Sequence, residues 1–301
     1  MRTQNRGFTL SRLLAVVAAV VTFAGLAAPA AAEEGGPQLD TFPVDKTRDM
    51  VSLQNGAKLF VNYCLNCHNA SFVRYNKLQE LGLTEAQVKG NLMFATEKPG
   101  DLMIVAMKAA NAKTYFGATP PDLSLVAQAR SGESGTGADW LYTYLRSFYR
   151  DSERPTGWNN VLYPNVGMPH VLWELDSGRD LKKIETKLVE PKEAGEPAGG
   201  KHEEHFVAET SVWDQYGIKT TSEAPVAGHG HESTAIEWID SRPEQTRKYN
   251  EQVSDLVAYM VWMSDPSAGL RLRLGVIVII FLFAFTLFAW GLNRSFWKQV
   301  K

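Results

Sequence analysis

The most constraining feature of this 301-residue chain is the run NYCLNCHNA at positions 62–70. It places two cysteines and a histidine, Cys64, Cys67 and His68, within five positions, and the chain has no other cysteine. On a helix these residues fall at i, i+3 and i+4 and therefore share one face. The run predicts a site in which two thiols and an imidazole act together.

Three hypotheses account for such a site. A redox disulfide would normally follow a strand in a βαβ unit, and no strand pattern precedes this motif. A structural zinc site would need a further pair of cysteine or histidine ligands, and there is no second cysteine pair. The third is covalent attachment of haem c, in which the histidine is the proximal iron ligand. We favour haem c over the other two.

The N-terminus agrees with the export that haem c attachment requires. Arg2, Arg6 and Arg12 precede the uncharged apolar stretch LLAVVAAVVTFAGLAAPA, and small residues follow at 30–32. This order is typical of a secretory signal peptide, which we assign to residues 1–32. An uncleaved membrane anchor is the alternative, and in both cases the body of the chain is exported.

A second apolar stretch, LGVIVIIFLFAFTLFAWGL, lies at residues 274–292 and contains no charge. A helix of this length spans about 28 Å, close to the hydrocarbon core of a bilayer. Basic residues flank both ends, so the export signal decides the orientation. We predict an extracytoplasmic domain over 33–270 and a transmembrane anchor with a short cytoplasmic tail over 271–301.

Apolar spacing in the exported body predicts several helices, and no stretch alternates convincingly as a strand. Thr84 and Gln87 are spaced as a capping box at a helix start. The predicted helices cover residues 49–68, 101–112, 138–149 and 249–264.

Residues 176–250 differ in composition, being rich in Gly, Glu, Pro and Ala and poor in large apolar residues. We interpret them as a flexible insert or linker. Its histidines, His202, His205, His229 and His231, lack the spacing of a zinc protease motif, and we expect them to be solvated.

The distal iron ligand decides whether a c-type haem carries electrons or binds gases. Met168 lies in the loop sequence YPNVGMPHVLW, directly after Gly167 and between Pro164 and Pro169. Glycine permits close backbone approach and proline stiffens a loop, so Met168 is the preferred candidate. His170 is the rival ligand.

These segments together resemble the cytochrome c1 family, the haem subunit of ubiquinol:cytochrome c oxidoreductase (respiratory complex III). They are CLNCH, GATPPDLSLVAQAR, WLYTYLRSFYRD, GMPHVLW and a helix ending in VWMSDP before a terminal anchor. The resemblance covers most of residues 40–300. The C-x-x-C-H motif is common to all c-type cytochromes, whereas PPDLS and the position of the anchor are more specific.

The resemblance implies an all-α class I cytochrome c domain with one covalently attached haem c and Met168 as its distal ligand. It further implies that Pro120 and Pro121 pack near the proximal histidine and that Arg130 reaches a haem propionate. Some family members carry an extra disulfide, which this chain cannot form with both cysteines bound to haem.

The function implied by the resemblance is single-electron transfer from a Rieske iron-sulfur protein to a soluble cytochrome c. The chain would sit beside a cytochrome b subunit in a dimeric complex of the bacterial inner membrane, with its globular domain in the periplasm. It would catalyse no bond chemistry itself, and we expect no nucleic-acid partner. A free-standing tethered cytochrome, or a haem sensor or peroxidase with an open distal site, are the alternatives.

Overall fold

The computed structural model describes residues 38–189, 205–226 and 232–298. The predicted signal peptide and the last three residues of the tail lie outside the described residues. So do His202, His229 and His231 and the side chain of His205.

The helices form most of the domain around the C-x-x-C-H motif. Short 3₁₀ helices occupy Val44–Arg48 and Tyr75–Leu81. The α-helices are α1 (Met50–Leu59), α2 (Glu85–Asn91), α3 (Ala109–Phe116), α4 (Val126–Ala129), α5 (Gly137–Arg146), α6 (Pro243–Ser264) and α7 (Ala268–Trp297).

Helix α1 crosses α6 at very close range, and Gly56 makes this approach possible. A Cβ atom at Gly56 would lie 2.0 Å from the carbonyl oxygen of Asp255 and 2.7 Å from the Cβ of Tyr259. Leu53 and Ala57 of α1 are buried beside it, in one continuous apolar core. The contact fixes the helix that leads directly into the motif.

Local capping explains where two of these helices begin. The side chain of Asp49 accepts hydrogen bonds from the backbone N–H groups of Val51 and Ser52 at the start of α1. Thr84 and Gln87 form the predicted capping box at the start of α2, so that prediction is confirmed.

The structure also contains eight strands in its described part, which corrects the all-α prediction. Two antiparallel pairs lie in the helical domain: β1 (Ala70–Arg74) with β2 (Leu102–Met103), and β3 (Phe148–Arg150) with β4 (Trp158–Asn160). A four-stranded antiparallel sheet follows, made of β5 (Asp180–Val189), β6 (His205–Trp213), β7 (Lys219–Pro225) and β8 (Ser233–Ile239). The strands lie in the order β7-β6-β5-β8.

The four-stranded sheet lies within the 176–250 segment, where we expected linker structure. Its strands carry polar residues on both faces, so the sequence lacks the alternation that marks a half-buried strand. All seven residues of β7 are exposed. The strands are paired by their backbones, and partly exposed ion pairs join Lys182 with Glu237 at 2.8 Å and Lys187 with Glu209 at 2.8 Å across strands.

Two predicted helices are partly replaced by strand in the structure. The segment 101–112 begins with β2, and helix starts only at Ala109. The segment 138–149 is helical as far as Arg146 and then enters β3. In both cases backbone pairing with a distant strand replaces helical bonds, which apolar spacing alone does not reveal.

Helix α7 is the one described helix that is long and apolar enough to cross a membrane. It has 30 residues, and none of them is buried against the rest of the protein. Its length and composition fit a single-pass membrane anchor.

Candidate functional site

The seven residues predicted for the site surround one cavity of about 280 Å³. They come from three separate parts of the sequence. They are Cys64, Cys67, His68, Pro120, Pro121, Arg130 and Met168.

The motif follows α1 through a wide π-helical turn at Phe60–Cys64, a geometry often found at functional sites. The backbone N–H of Leu65 donates to the Phe60 carbonyl at 2.9 Å, and that of His68 donates to the Cys64 carbonyl at 2.9 Å. The chain therefore keeps a helical turn between the first cysteine and the histidine. This turn directs both thiols and the imidazole to the same cavity.

The imidazole of His68 is oriented by a backbone carbonyl. Its Nδ1 lies 2.7 Å from the carbonyl oxygen of Pro121. Because that oxygen can only accept, Nδ1 carries the proton and Nε2 keeps its lone pair for a metal. Burial lowers the pKa of His68, although the bond to Pro121 and the charge of Asp122 act in the opposite direction. A neutral imidazole is the form that binds iron.

The loop that holds this carbonyl is itself fastened. The carboxylate of Asp122 accepts hydrogen bonds from the backbone N–H groups of Ser71 at 2.9 Å and Ser124 at 2.8 Å. Leu123 also donates its N–H to the carbonyl of Asn69 at 2.8 Å. The PPDLS segment is thereby tied to the residues that follow His68.

The cysteine environment bears on the three hypotheses for the motif. Burial, with a smaller contribution from Cys67, raises the pKa of Cys64 to about 12, and burial also raises the pKa of Cys67. Redox and zinc-binding cysteines need the thiolate, which positive surroundings favour. Two protonated thiols beside an apolar cavity fit attachment to a porphyrin better.

Met168 reaches the cavity from a loop packed against α3. A Cβ atom at Gly167 would lie 2.8 Å from the carbonyl oxygen of Phe116, so only glycine fits there without a shift. Val166, one residue earlier, is buried in the core. The close approach expected from the sequence is therefore present, and it places the thioether in the wall of the cavity.

His170 lies outside this cavity. It is 2% exposed, and its ring stacks on Phe148 with a centroid distance of 4.9 Å. Its Nε2 lies 3.1 Å from a carboxylate oxygen of Asp176. Nε2 therefore bonds to Asp176, and His170, the rival ligand, does not face the cavity.

The structure adds residues that we did not predict for the site. Tyr144 lines the cavity, and its hydroxyl lies 3.5 Å from the sulfur of Met168. Trp140 stacks on Tyr144 at 4.8 Å, and the exposed Arg130 places its guanidinium 4.4 Å from the Trp140 ring centroid. Both aromatic residues fit the apolar spacing of α5, which does not distinguish a core residue from one that lines a cavity. The four-residue spacing between them was the available signal.

Comparison with known proteins identifies relatives over nearly the whole chain. The model of the Cytochrome C1 family matches residues 43–178 and 224–300. A cytochrome c1 of Allochromatium vinosum is 36% identical over 91% of this chain and 96% of its own length. A protein of Nitrosomonas europaea named ammonia monooxygenase gamma subunit is 35% identical, over 91% of this chain and 95% of its own length.

A third relative has a name that combines two cytochromes. It is a protein of Bradyrhizobium diazoefficiens named cytochrome b/c1, which is 24% identical over 95% of this chain and 39% of its own length.

The family model leaves out residues 179–223, where β5, β6 and most of β7 lie. A resemblance to the family therefore could not have indicated this sheet.

Proposed function

The chain belongs to the Cytochrome C1 family, and from this premise we propose that it binds one haem c covalently and transfers single electrons in a quinol-oxidising respiratory complex. Membership of this family implies a haem electron-transfer subunit of a cytochrome bc1 complex. The covalent attachment, the ligands and the electron partners are our proposal.

The main support for this proposal is the set of sulfur and nitrogen atoms that surround one apolar cavity. Cys64 and Cys67 supply two thiols, His68 supplies a free Nε2, and Met168 supplies a thioether. Leu141, Leu145 and Val126 are among the apolar side chains that complete the walls. A haem c would be held by the two thiols through covalent attachment and by one nitrogen and one sulfur as iron donors.

Bound haem c would supply a single iron that changes its oxidation state by one electron. The protein's part is to hold the axial donors in place. His68 is fixed by the Pro121 carbonyl, and Met168 is fixed by the packing of Gly167 on Phe116. Methionine as the distal donor favours a higher reduction potential than a second histidine would.

Arg130 and the two prolines have supporting roles in this proposal. Arg130 is exposed at the cavity and lies over Trp140, from where its guanidinium can pair with a propionate carboxylate. Pro120 and Pro121 close the proximal side, and the carbonyl of Pro121 selects the histidine tautomer.

We place the chain in the bacterial inner membrane, with the globular domain in the periplasm. The apolar helix α7 supports a single-pass anchor, and the basic N-terminus followed by an apolar stretch supports export. The printed name cytochrome b/c1 of one relative supports a cytochrome b subunit as neighbour. We further propose a Rieske protein as donor, a soluble cytochrome c as acceptor, and a dimeric complex.

The test is to purify the full-length chain from its native membrane by an affinity tag and to identify what accompanies it. We expect a cytochrome b subunit and an iron-sulfur protein in the same particle, with quinol-dependent reduction of cytochrome c. On a denaturing gel, peroxidase staining should mark this chain, and the stain should disappear in the Cys64→Ala, Cys67→Ala double variant.

Three results would contradict parts of the proposal. A chain without covalent haem would refute the attachment, and a haem chain that purifies alone would favour the free-standing tethered cytochrome. Rapid carbon monoxide binding by the reduced wild-type protein would indicate an open distal site, as in a sensor or peroxidase.

A further inference from the structure

The hydroxyl of Tyr144 lies next to the sulfur of Met168, the proposed distal ligand. Tyr144 is 8% exposed, and its hydroxyl lies 3.5 Å from the Met168 sulfur, within hydrogen-bond distance for a sulfur acceptor. Among the described residues, this sulfur is the hydrogen-bond partner that the hydroxyl has. A buried hydroxyl whose bond ends on a proposed iron ligand requires an explanation.

The Tyr144 ring is held so that its hydroxyl keeps this direction. Trp140 stacks on one side, with centroids 4.8 Å apart and planes at 14°. Phe148 meets the ring edge-on at 5.2 Å and 68°. The two neighbours restrict the rotation of the side chain, so the hydroxyl is preorganised.

The backbone of Tyr144 is fastened to the strand that leads into the Met168 loop. Its carbonyl accepts a hydrogen bond from the side-chain amide of Asn160 in β4 at 2.8 Å. Val161 next to it donates its N–H to the carbonyl of Ser147 at 2.9 Å. Helix α5 and the loop therefore form one unit, and the distance between hydroxyl and sulfur follows from both.

A thioether sulfur has two lone pairs, and only one of them can be directed at iron. A hydroxyl that donates to the other pair does two things. It would leave the remaining lone pair free for the metal, and it would withdraw electron density from the sulfur. A weaker sulfur donor stabilises ferric iron less, which raises the reduction potential.

We propose that Tyr144 is a positioning residue for the distal ligand and that its hydroxyl, through the Met168 sulfur, raises the reduction potential of the haem. This inference rests on the proposed bond between Met168 and iron. It assigns a role to a side chain that helical spacing alone did not mark as part of the site.

The experiment compares Tyr144→Phe with Tyr142→Phe in the full-length chain within its membrane complex. Tyr142 is on the same helix but packs against Phe42 and Arg146, away from the cavity. Each variant loses one phenolic hydroxyl. The readouts are the midpoint potential from a redox titration and the methionine-to-iron charge-transfer band of the ferric protein.

We expect Tyr144→Phe to keep the band and to lower the potential, while Tyr142→Phe matches the wild type in both. Loss of the band in Tyr144→Phe alone would also support the inference, because the ligand would then depend on the hydroxyl. An unchanged potential with the band intact would overturn it while leaving Met168 as ligand. A wild-type protein without the band would instead refute the proposed ligand itself.

A second comparison separates an action through sulfur from a general change of polarity. In a Met168→His background, Tyr144→Phe should no longer lower the potential, since the sulfur acceptor is absent. An equal lowering in both backgrounds would show that the hydroxyl does not act through the ligand, and would overturn the inference.

Discussion

Among single residues, His170 is a potential iron ligand that has a structural role instead. Its ring lies between Phe148, stacked at 4.9 Å, and Trp158, edge-on at 4.9 Å. Burial lowers the pKa of His170, although the Asp176 carboxylate acts to raise it, so the neutral ring donates from Nε2 to Asp176. The residue anchors the chain just beyond Met168.

We expect His170→Phe to lower the free energy of unfolding by about 2 kcal/mol, because the buried Asp176 carboxylate loses a hydrogen-bond donor. The methionine-to-iron band should remain. Thermal loss of the visible haem spectrum measures the effect, and Trp173→Phe, at a position 53% exposed, is the control. A variant without the band but with normal stability would return His170 to the list of ligands.

Short spacing was enough to select the motif residues, which the structure places around one cavity. Cys64, Cys67 and His68 form one motif, and the loop composition around Met168 favoured it over His170. The roles of Tyr144 and of the Pro121 carbonyl depend on contacts between segments far apart in the chain. Helical spacing made Tyr144 look like any core aromatic, and a backbone carbonyl leaves no signal in a side-chain pattern.

At the scale of elements, helix α5 is positioned by a capping box with a long-range contact. Thr136 and Asp139 cap each other at its start. The other carboxylate oxygen of Asp139 accepts the backbone N–H of Phe42 at 2.7 Å. One side chain thus joins the N-terminal segment to the helix that carries Trp140 and Tyr144.

The carboxylate of Asp139 should make the stability of the protein depend on pH. Burial would raise the pKa of Asp139, but hydrogen bonds from Phe42 and Thr136 outweigh it and lower the pKa below 3.8. Its contribution to stability is therefore complete above pH 3.8 and lost as the pH falls through the lower folded-state value. Asp139→Asn should cost about 1 kcal/mol at pH 7, and its difference from wild type in urea unfolding should narrow below pH 4. A constant difference would contradict this.

The four-stranded sheet is a separable element by its packing. The main hydrophobic core, within the described residues, contains no side chain from β5 to β8. The sheet touches the helical domain at a few points, such as Trp213 against Tyr149 at 5.3 Å. Strand β5 pairs directly with β8, and Thr186 is opposite Ser233.

Deleting residues 192–232 should therefore leave a haem-containing protein with an unchanged visible spectrum. The deletion removes β6 and β7 but brings β5 and β8 together as a two-stranded hairpin. We expect a lower thermal midpoint, because the contacts of Trp213 are lost. Absence of covalent haem in a deletion variant that is expressed normally would show that the sheet is needed for folding.

The helical part of the fold could be predicted and the sheet could not, for a physical reason. Helices α1, α5 and α6 bury one face and so carry a clear apolar period, whereas β7 buries neither face. The strands of the sheet also carry partly exposed charged pairs such as Lys187 with Glu209. The composition of such strands is close to that of a flexible linker.

At the scale of the whole molecule, charge is distributed unevenly along the chain. The net charge of −2 includes three basic residues in 1–32 and five in 271–301, where there is no acidic residue. Without them the body, residues 33–270, has 23 basic against 33 acidic side chains, a net charge of −10. Such a domain attracts a basic partner over about 10 Å at 0.1 M salt.

We therefore expect a basic soluble cytochrome c, or one with a basic face, as electron acceptor. Its bimolecular transfer rate should fall steeply as salt rises from about 10 mM to several hundred mM, because ions screen the attraction. Stopped-flow measurement with the native acceptor tests this. A flat rate over that range would exclude electrostatic steering and leave the acidity as a solubility feature.

Met168 is proposed as the distal ligand of an electron-carrying haem c, and the absorption spectrum of the ferric protein reports on its bond to iron. The wild-type protein should show the methionine-to-iron band. Met168→Leu should lose the band and have a substantially lower reduction potential, whereas Met260→Leu, a change at another methionine of the cavity wall, should retain the band. A band that persists in Met168→Leu would show that Met168 is not the distal ligand and that another residue binds the iron.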